Sequence, residues 1–308
     1  MNWSDRVASL ILASKPVKAV LFLLAGVFLL DLMGVFVKML LVRFNASELS
    51  FYRNAIGMLP AAAMIYFMGG RGFRGKFRVI RQWPLALSRG FMSAFAQLFF
   101  YLALARMEFA TVATILFSMS LFIVAFSVPL LGAKVGLVRW RAVIVGFVGV
   151  IMVVGPGSDA FTLAAILPLA AAALYALNSI VTRMIDDDVP SSLIYLYSAF
   201  AAALGASALT ALGGGGFTTI TSAFDLGLIW LMGLIGGSGV ICLVVAFRMA
   251  DPSLLAPFNY FGILSAFVLG WLFFQEAPFE RLLPGVVLIL AGGLLVIWRE
   301  RRAENISR

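Results

Sequence analysis

Long apolar runs set the pattern of this chain. A hydrocarbon layer about 30 Å thick takes roughly 20 apolar residues per helix. Ten segments reach that length or come near it: Ala19–Val42, Leu49–Met68, Pro84–Ala105, Phe109–Leu131, Trp140–Val154, Thr162–Thr182, Ser191–Leu212, Leu226–Phe247, Ser253–Phe274 and Leu282–Trp298. The fifth and tenth are short and carry spaced glycines (Gly146, Gly149; Gly285, Gly292, Gly293), a spacing that permits close helix contact. Ahead of the first run, Val7–Ala13 reads either as a short interfacial helix or as a frayed tail, with Lys15 and Lys18 marking the membrane edge. The expected fold class is an all-α integral membrane protein with ten transmembrane helices.

Composition settles that the runs span a membrane rather than fill a core. Of the 308 residues, 63% are hydrophobic and 12% charged, against about 45–50% and about 25% in soluble domains. There is no histidine, and the one cysteine, Cys242, sits in an apolar run. An intrachain disulfide, a Cys/His metal site and a Ser-His-Asp or Cys-His catalytic group are thereby excluded. No cofactor is expected. The carboxylates and lysines that remain are scattered, so an enzyme is not expected either. No Walker or dinucleotide pattern precedes Gly233, Gly236, Gly237 and Gly239; these read as close-packing positions, and energy for any transport comes from a gradient. The first apolar run meets Asp31, and no small-residue cleavage site follows Leu30, so the run reads as a span and not as a signal peptide.

A net charge of +9 suggests nucleic acid only until the charges are located. They lie in short loops and tails. Seventeen of the 23 Lys and Arg residues fall on the side of the N-terminus, three (Arg43, Arg106, Arg281) on the other side, and three (Lys38, Arg53, Arg89) within spans. Positive excess marks the cytoplasmic face, so both termini are expected in the cytoplasm of a bacterial-type inner membrane.

The two halves of the chain echo each other. Arg106-Met107 corresponds to Arg248-Met249, Thr111 to Ser253, and Leu116-Phe117-Ser118 to Phe258-Asn259-Tyr260. Lys38 corresponds to Arg183, Ser47 to Ser192, Tyr52 to Tyr197 and Gly149 to Gly292. Each half carries five spans, an odd number, so the second enters the membrane in the opposite orientation. Two inverted five-helix repeats, 19–154 and 162–298, are expected between an N-terminal segment, 1–18, and a tail, 299–308. Gly155-Pro156-Gly157-Ser158 is the junction, and Gly213–Gly216 a flexible exterior loop. Secondary transporters use this design, with the substrate site near the midplane between halves.

Charges within spans are costly, about 2.5–3.5 kcal/mol each at a helix centre, and are candidates for function. Asp31 lies near the middle of the first span; it either binds a cationic group or a proton, or pairs with an arginine from another helix. Lys38, two turns on, either binds an anionic or carbonyl group or snorkels to the exterior. A direct Asp31–Lys38 pair within one helix spans about 10 Å and is not expected. Arg53 and Arg89 each lie about a turn inside a span and either contact substrate or snorkel. At similar depth, Arg53 and Lys38 make one exterior-side cationic patch suited to a carboxylate or phosphate. Tyr175, Asn178 and Thr182 share one stripe of the sixth span, and Gln97 and Tyr101 are neighbours in the third. Either set lines a cavity or bonds helix to helix. In the ninth span Pro257 frees a carbonyl near Ser253, which makes it a candidate hinge beside Asn259 and Tyr260. Ser118 is the counterpart of Tyr260, but no proline accompanies it, so no break is predicted in the fourth span. The chain also holds 28 Phe and six Trp, which either face lipid or offer a planar solute a stripe.

The two Arg-Met turns, the Ala256-Pro257-Phe258-Asn259-Tyr260 run, Gln275-Glu276 closing the ninth span and the glycine-rich short spans after Trp140 and Leu283 resemble the drug/metabolite transporter superfamily, EamA type. The resemblance covers residues 19–299. It implies ten helices around a central cavity and transport of a small organic metabolite by alternating access. The expected partners are the substrate, the lipid bilayer, a coupling proton or ion and a second copy of the chain as a homodimer; nucleic acid is not among them. Riboflavin uptake is the substrate expectation, on the aromatic content and the mostly uncharged second half. Export of amino acids or other metabolites is the alternative within the family, and a non-transporting scaffold or receptor the alternative outside it. The family usually shows an acid closing the fourth span too. Here Ala133 stands opposite Glu276, which makes Glu276 a helix-end or gate residue more than half of a symmetric pair.

Overall fold

The computed structural model describes residues 15–68, 82–132, 140–141, 144–145, 148–149, 151–152, 163–185, 189–213, 216–249, 258, 261–276 and 287–288. Among them the regular structure is helical, with no strand. The helices are α1 (Lys15–Leu40), α2 (Ala46–Met68), α3 (Trp83–Leu104), α4 (Phe109–Leu116), α5 (Met119–Leu131), α6 (Ile166–Arg183), α7 (Ser191–Leu212), α8 (Ala223–Met249) and α9 (Phe261–Phe274). Among the described residues, five stretches are long and apolar enough to cross a membrane: Val17–Leu40, Trp83–Leu104, Phe109–Leu130, Ser192–Leu212 and Ala223–Leu243. Ile166–Thr182 and Phe261–Phe274 are apolar but shorter. α2 falls below that apolar standard because Glu48, Arg53 and Asn54 sit in it, yet its 23 residues reach about 34 Å. Most of Trp140–Val154 and Leu282–Trp298, the segment Val7–Ala13, and Pro257, Asn259 and Tyr260 lie outside the described residues.

The fourth span corrects the sequence expectation. It is interrupted at Phe117-Ser118 without a proline: α4 stops at Leu116 and α5 starts at Met119. Phe117 N donates to Thr114 O at 3.2 Å as well as to Ala113 O, and Ser118 N donates to Ile115 O at 3.0 Å. Such three-residue bonds tighten the turn. One turn earlier the Thr114 hydroxyl donates to Ala110 O at 2.7 Å. This back-bonding bends helices, a route to a break that a search for proline misses.

Packing joins the first part of the chain to the second. α1 lies on α8 and α9, α2 on α7 and α8, α3 on α6 and α7, α4 on α9 and α6, and α5 on α6. Small residues set the closest approaches. A Cβ on Gly237 would sit 2.6 Å from Gly57 O, and one on Gly90 only 2.3 Å from Ser198 O. α2 therefore meets α8, and α3 meets α7, nearly backbone to backbone, as membrane helices do where glycine allows. The main cluster of buried apolar residues includes Leu40, Leu49, Tyr101, Leu104, Phe109, Ile229 and Met232. Phe22, Phe28, Phe91, Phe95, Phe200, Phe224 and Trp271 are exposed and suit a lipid-facing surface, the plainer of the two readings of the aromatic content.

Candidate functional site

Three polar layers cross the bundle. The first gathers where α1 and α9 end and α4 begins. Lys38 forms an ion pair with Glu276 and donates to Met107 O at 3.0 Å. Its Nζ also stands 4.8 Å from the Phe274 ring centre, a cation-π distance. The other Glu276 oxygen accepts the Phe109 backbone N–H at 2.6 Å. The first turn of α4 has unsatisfied donors, and a carboxylate is the favoured partner there. Gln275 takes a left-handed backbone, φ 57°, and Glu276 N bonds back to Gly270 O at 3.2 Å; this turn re-aims Glu276 across the bundle. In the same layer Arg43 Nη1 donates to both Asp225 oxygens, at 2.5 and 2.6 Å. The buried Glu48 accepts Thr218 N at 2.8 Å and Thr218 Oγ1 at 3.0 Å.

The middle layer is built around Arg53, 7% exposed. Its Nη1 donates to Asn54 Oδ1 at 2.9 Å. The Asn54 amide in turn donates to Gln97 Oε1 and to Ser50 O, both at 2.7 Å, and Ser50 Oγ donates to the same Gln97 oxygen at 2.7 Å. α2 and α3 are thus tied by a buried amide network that fixes one edge of the guanidinium. Tyr101, Tyr175 and Tyr195, from α3, α6 and α7, stand close enough to act on the Arg53 charge. Glycines let the helices close on these groups. A Cβ on Gly236 would lie 3.3 Å from Arg53 Nε, and one on Gly57 3.1 Å from the Tyr195 hydroxyl. Four buried polar atoms have no hydrogen-bond partner among the described residues: Arg53 Nε, the Tyr101 and Tyr195 hydroxyls and Ser118 Oγ. Buried polar atoms are normally satisfied, so each of the four is a candidate for a bond from a ligand or water.

The third layer holds Arg89. Its Nε donates to Asn178 Oδ1 at 2.9 Å and its Nη1 to Ser198 Oγ at 3.0 Å. Asn178 returns bonds to Arg89 O at 3.0 Å and Ser93 Oγ at 2.5 Å. Thr182 is occupied with Asn178 O at 2.7 Å. The expected stripe on α6 is therefore divided: Asn178 knits α6 to α3, while Thr182 bonds its own helix.

Asp31 accepts a hydrogen bond from Ser265 of α9. Among the described residues no arginine or lysine pairs with it. Lys38 is paired with Glu276, while Arg53 meets no carboxylate among the described residues. Gln97 is a support that holds Asn54, and Tyr101 is 1% exposed with a free hydroxyl.

Sequence reasoning missed Ser50, Asn54, Tyr195, Ser93, Ser198, Glu48, Asp225 and Ser265. Part of the signal was present. Arg89, Ser93, Gln97 and Tyr101 follow one another at intervals of four, a single polar stripe along α3, and Ser50, Arg53, Asn54 and Gly57 share one face of α2.

Residues 17–155 match the EamA-like transporter family. The chain is 33% identical to the riboflavin transporter of Rhizobium johnstonii over 177 residues, 57% of either protein, so it spans only a little over half of that relative. It is 26% identical to the S-adenosylmethionine uptake transporter of Rickettsia conorii over 91% of this chain and 94% of that one. It is also 26% identical to the pseudopaline exporter CntI of Pseudomonas aeruginosa over 90% and 93%. A solved crystal structure aligns at TM-score 0.59 and 18% identity over 90% of this chain and 98% of the other, which establishes likeness of fold.

Proposed function

We propose, on the premise that the chain belongs to the EamA-like transporter family, that it is a secondary transporter moving a small polar metabolite past Arg53 by alternating access. The observation that carries the reading is the buried Arg53 Nε, with the Tyr101 and Tyr195 hydroxyls, left without a hydrogen-bond partner among the described residues. Unmatched polar atoms at depth in a membrane bundle call for a partner, and a solute passing Arg53 can supply it.

Two inverted five-helix repeats account for the packing. Exchanging spans 1–5 for 6–10 turns the α1·α8 contact into α3·α6, α2·α8 into α3·α7, and α1·α9 into the contact of the fourth span with α6; the α2·α7 and α4·α9 contacts map onto themselves. With both termini cytoplasmic, the Lys38–Glu276, Arg43–Asp225 and Glu48–Thr218 contacts lie at the exterior end. Each joins the first half to the second, so the described state is closed outward. Asp31, between the two ends, is the group placed to carry a coupling proton or cation.

The test is flux in proteoliposomes, in both directions, over a panel headed by riboflavin and S-adenosylmethionine and extended to amino acids, carboxylated and phosphorylated metabolites and neutral vitamins. Movement of at least one solute, lost on replacing Tyr101 and Tyr195 together by phenylalanine, supports the reading. If no solute moves in either direction, the chain is the scaffold or receptor instead.

A further inference from the structure

We infer that the Nε edge of Arg53 is an oxyanion-recognition site, taking a carboxylate or phosphate group of the solute with the Tyr101 and Tyr195 hydroxyls as flanking donors. The inference rests on the transporter reading of the same site and gives that site a substrate class.

The geometry of the guanidinium comes first. Arginine has five donors in a rigid plane and stays charged. Asn54 takes Nη1 at 2.9 Å, and Asn54 cannot follow a swivelling arginine because Gln97 and Ser50 hold its amide. The plane is therefore set. The edge formed by Nε and Nη2 is left, and a carboxylate or phosphate meets such an edge with two parallel bonds. Nε itself is buried and unpartnered.

Charge balance points the same way. The other anions among the described residues near this layer are committed. Glu276 is held by Lys38 and Phe109 N, Asp225 by Arg43, and Glu48 by Thr218 and Tyr52. Asp31 is bonded to Ser265 on α9, and the salt bridges of the described residues leave Arg53 out. Tyr101, Tyr175 and Tyr195 lie near its charge and are neutral donors, suited to share an anion and not to replace one. Gly236 brings no side chain of its own against Nε, where Met33 Sδ packs, and Gly57 brings none against the Tyr195 hydroxyl. A neutral solute presenting only carbonyl oxygens can use the same donors, but it leaves the buried cation uncompensated.

The test uses the purified full chain in detergent at constant ionic strength. Sodium chloride is exchanged for sodium benzoate in one arm and for inorganic phosphate in a second; a third adds phosphatidylglycerol to the micelle. Ligands that bind only the folded state raise its melting temperature. A saturable rise of about 2–4 °C is expected with benzoate or phosphate. Arg53→Gln removes an uncompensated buried charge, so it is expected to fold with an unchanged or higher melting temperature in chloride and to lose the saturable rise. Arg53→Lys keeps the charge without the two-pronged edge and is expected to need at least about fivefold more anion, a shift of one kcal/mol in binding. General salting effects of phosphate appear equally in Arg53→Gln and are subtracted by it. A full saturable rise in Arg53→Gln, meaning an adventitious ion only, overturns the inference. So does no rise in either anion, or a rise with phosphatidylglycerol alone, which assigns the site to a lipid headgroup. In flux, transport of neutral solutes alone at an unchanged rate in Arg53→Gln sinks the oxyanion site and leaves the transporter standing. Anion stabilisation without flux of any solute sinks the transporter and leaves the site.

Discussion

Lys38 and Glu276 meet across 238 residues of sequence, and the carboxylate that holds the lysine also closes the first turn of α4 through Phe109 N. Removing the acid strands both a partly buried ammonium and a backbone donor. Glu276→Ala is expected to cost about 2 kcal/mol, a fall in melting temperature of roughly 4–8 °C. Glu276→Gln keeps an acceptor for Phe109 N and should fall less. A double-mutant cycle with Lys38→Ala should return a coupling of about 1 kcal/mol or more. Simple additivity of the two losses means the pair contributes nothing as a pair.

The support behind Arg53 can be removed without touching Arg53. Gln97→Leu leaves Ser50 Oγ and one Asn54 donor unmatched and lets the guanidinium swivel. The expected result is a rise in KM for the transported solute of about tenfold, the value of roughly 1.4 kcal/mol, with smaller change in maximal flux. Gln97→Glu preserves the acceptor for both donors and should restore most of the affinity. Equal KM in all three proteins means that Asn54 holds Arg53 unaided.

Helix contact through glycine makes a sharper stability prediction. At Gly90 an added methyl meets the Ser198 carbonyl at 2.3 Å, and backbone cannot step aside as a side chain can. Gly90→Ala should destabilise the chain by about 1–3 kcal/mol through overpacking. Gly227 has nothing within 4 Å of the same methyl, so Gly227→Ala should stay within about 0.5 kcal/mol. Parallel thermal melts of the two variants decide it; equal melting temperatures mean that α3 and α7 part easily.

Asp31→Asn keeps an oxygen for the Ser265 hydroxyl and removes the charge. Insertion and melting temperature should be unchanged, while flux driven by an imposed ion gradient falls at least tenfold and solute exchange at equilibrium persists. Loss of both exchange and driven flux places Asp31 in substrate binding; loss of neither makes it structural.

The helical stretches were legible because a bilayer admits few alternatives: Ser191–Leu212 was predicted at the bounds α7 has. The break at Phe117-Ser118 was not, because it arises from a threonine hydroxyl and three-residue bonds and not from proline, the breaker that sequence advertises. Charges within spans were easy to find and hard to assign. Lys38, Arg53 and Arg89 look alike along the chain, yet one meets an acid, one meets Asn54, and one meets Asn178 and Ser198. Their partners lie in other helices, beyond any periodicity. Asn54 and Tyr195 went unnoticed for the same reason: a neutral polar residue in a span is ordinary until its neighbour is known.

The stripe Arg89, Ser93, Gln97, Tyr101 has a mechanical consequence. Arg89 and Gln97 are eight residues apart, about 12 Å along one rigid rod. A tilt of α3 by 10° about either position displaces the other by about 2 Å, more than a hydrogen bond tolerates. Parting Arg89 from Asn178 while Gln97 stays on Asn54, or the reverse, is therefore a see-saw with one fulcrum. Unpinning the far end by Asn178→Leu should be felt at Arg53, as a change in solute KM at a site the substitution does not touch; an unchanged KM means that α3 flexes between its two ends.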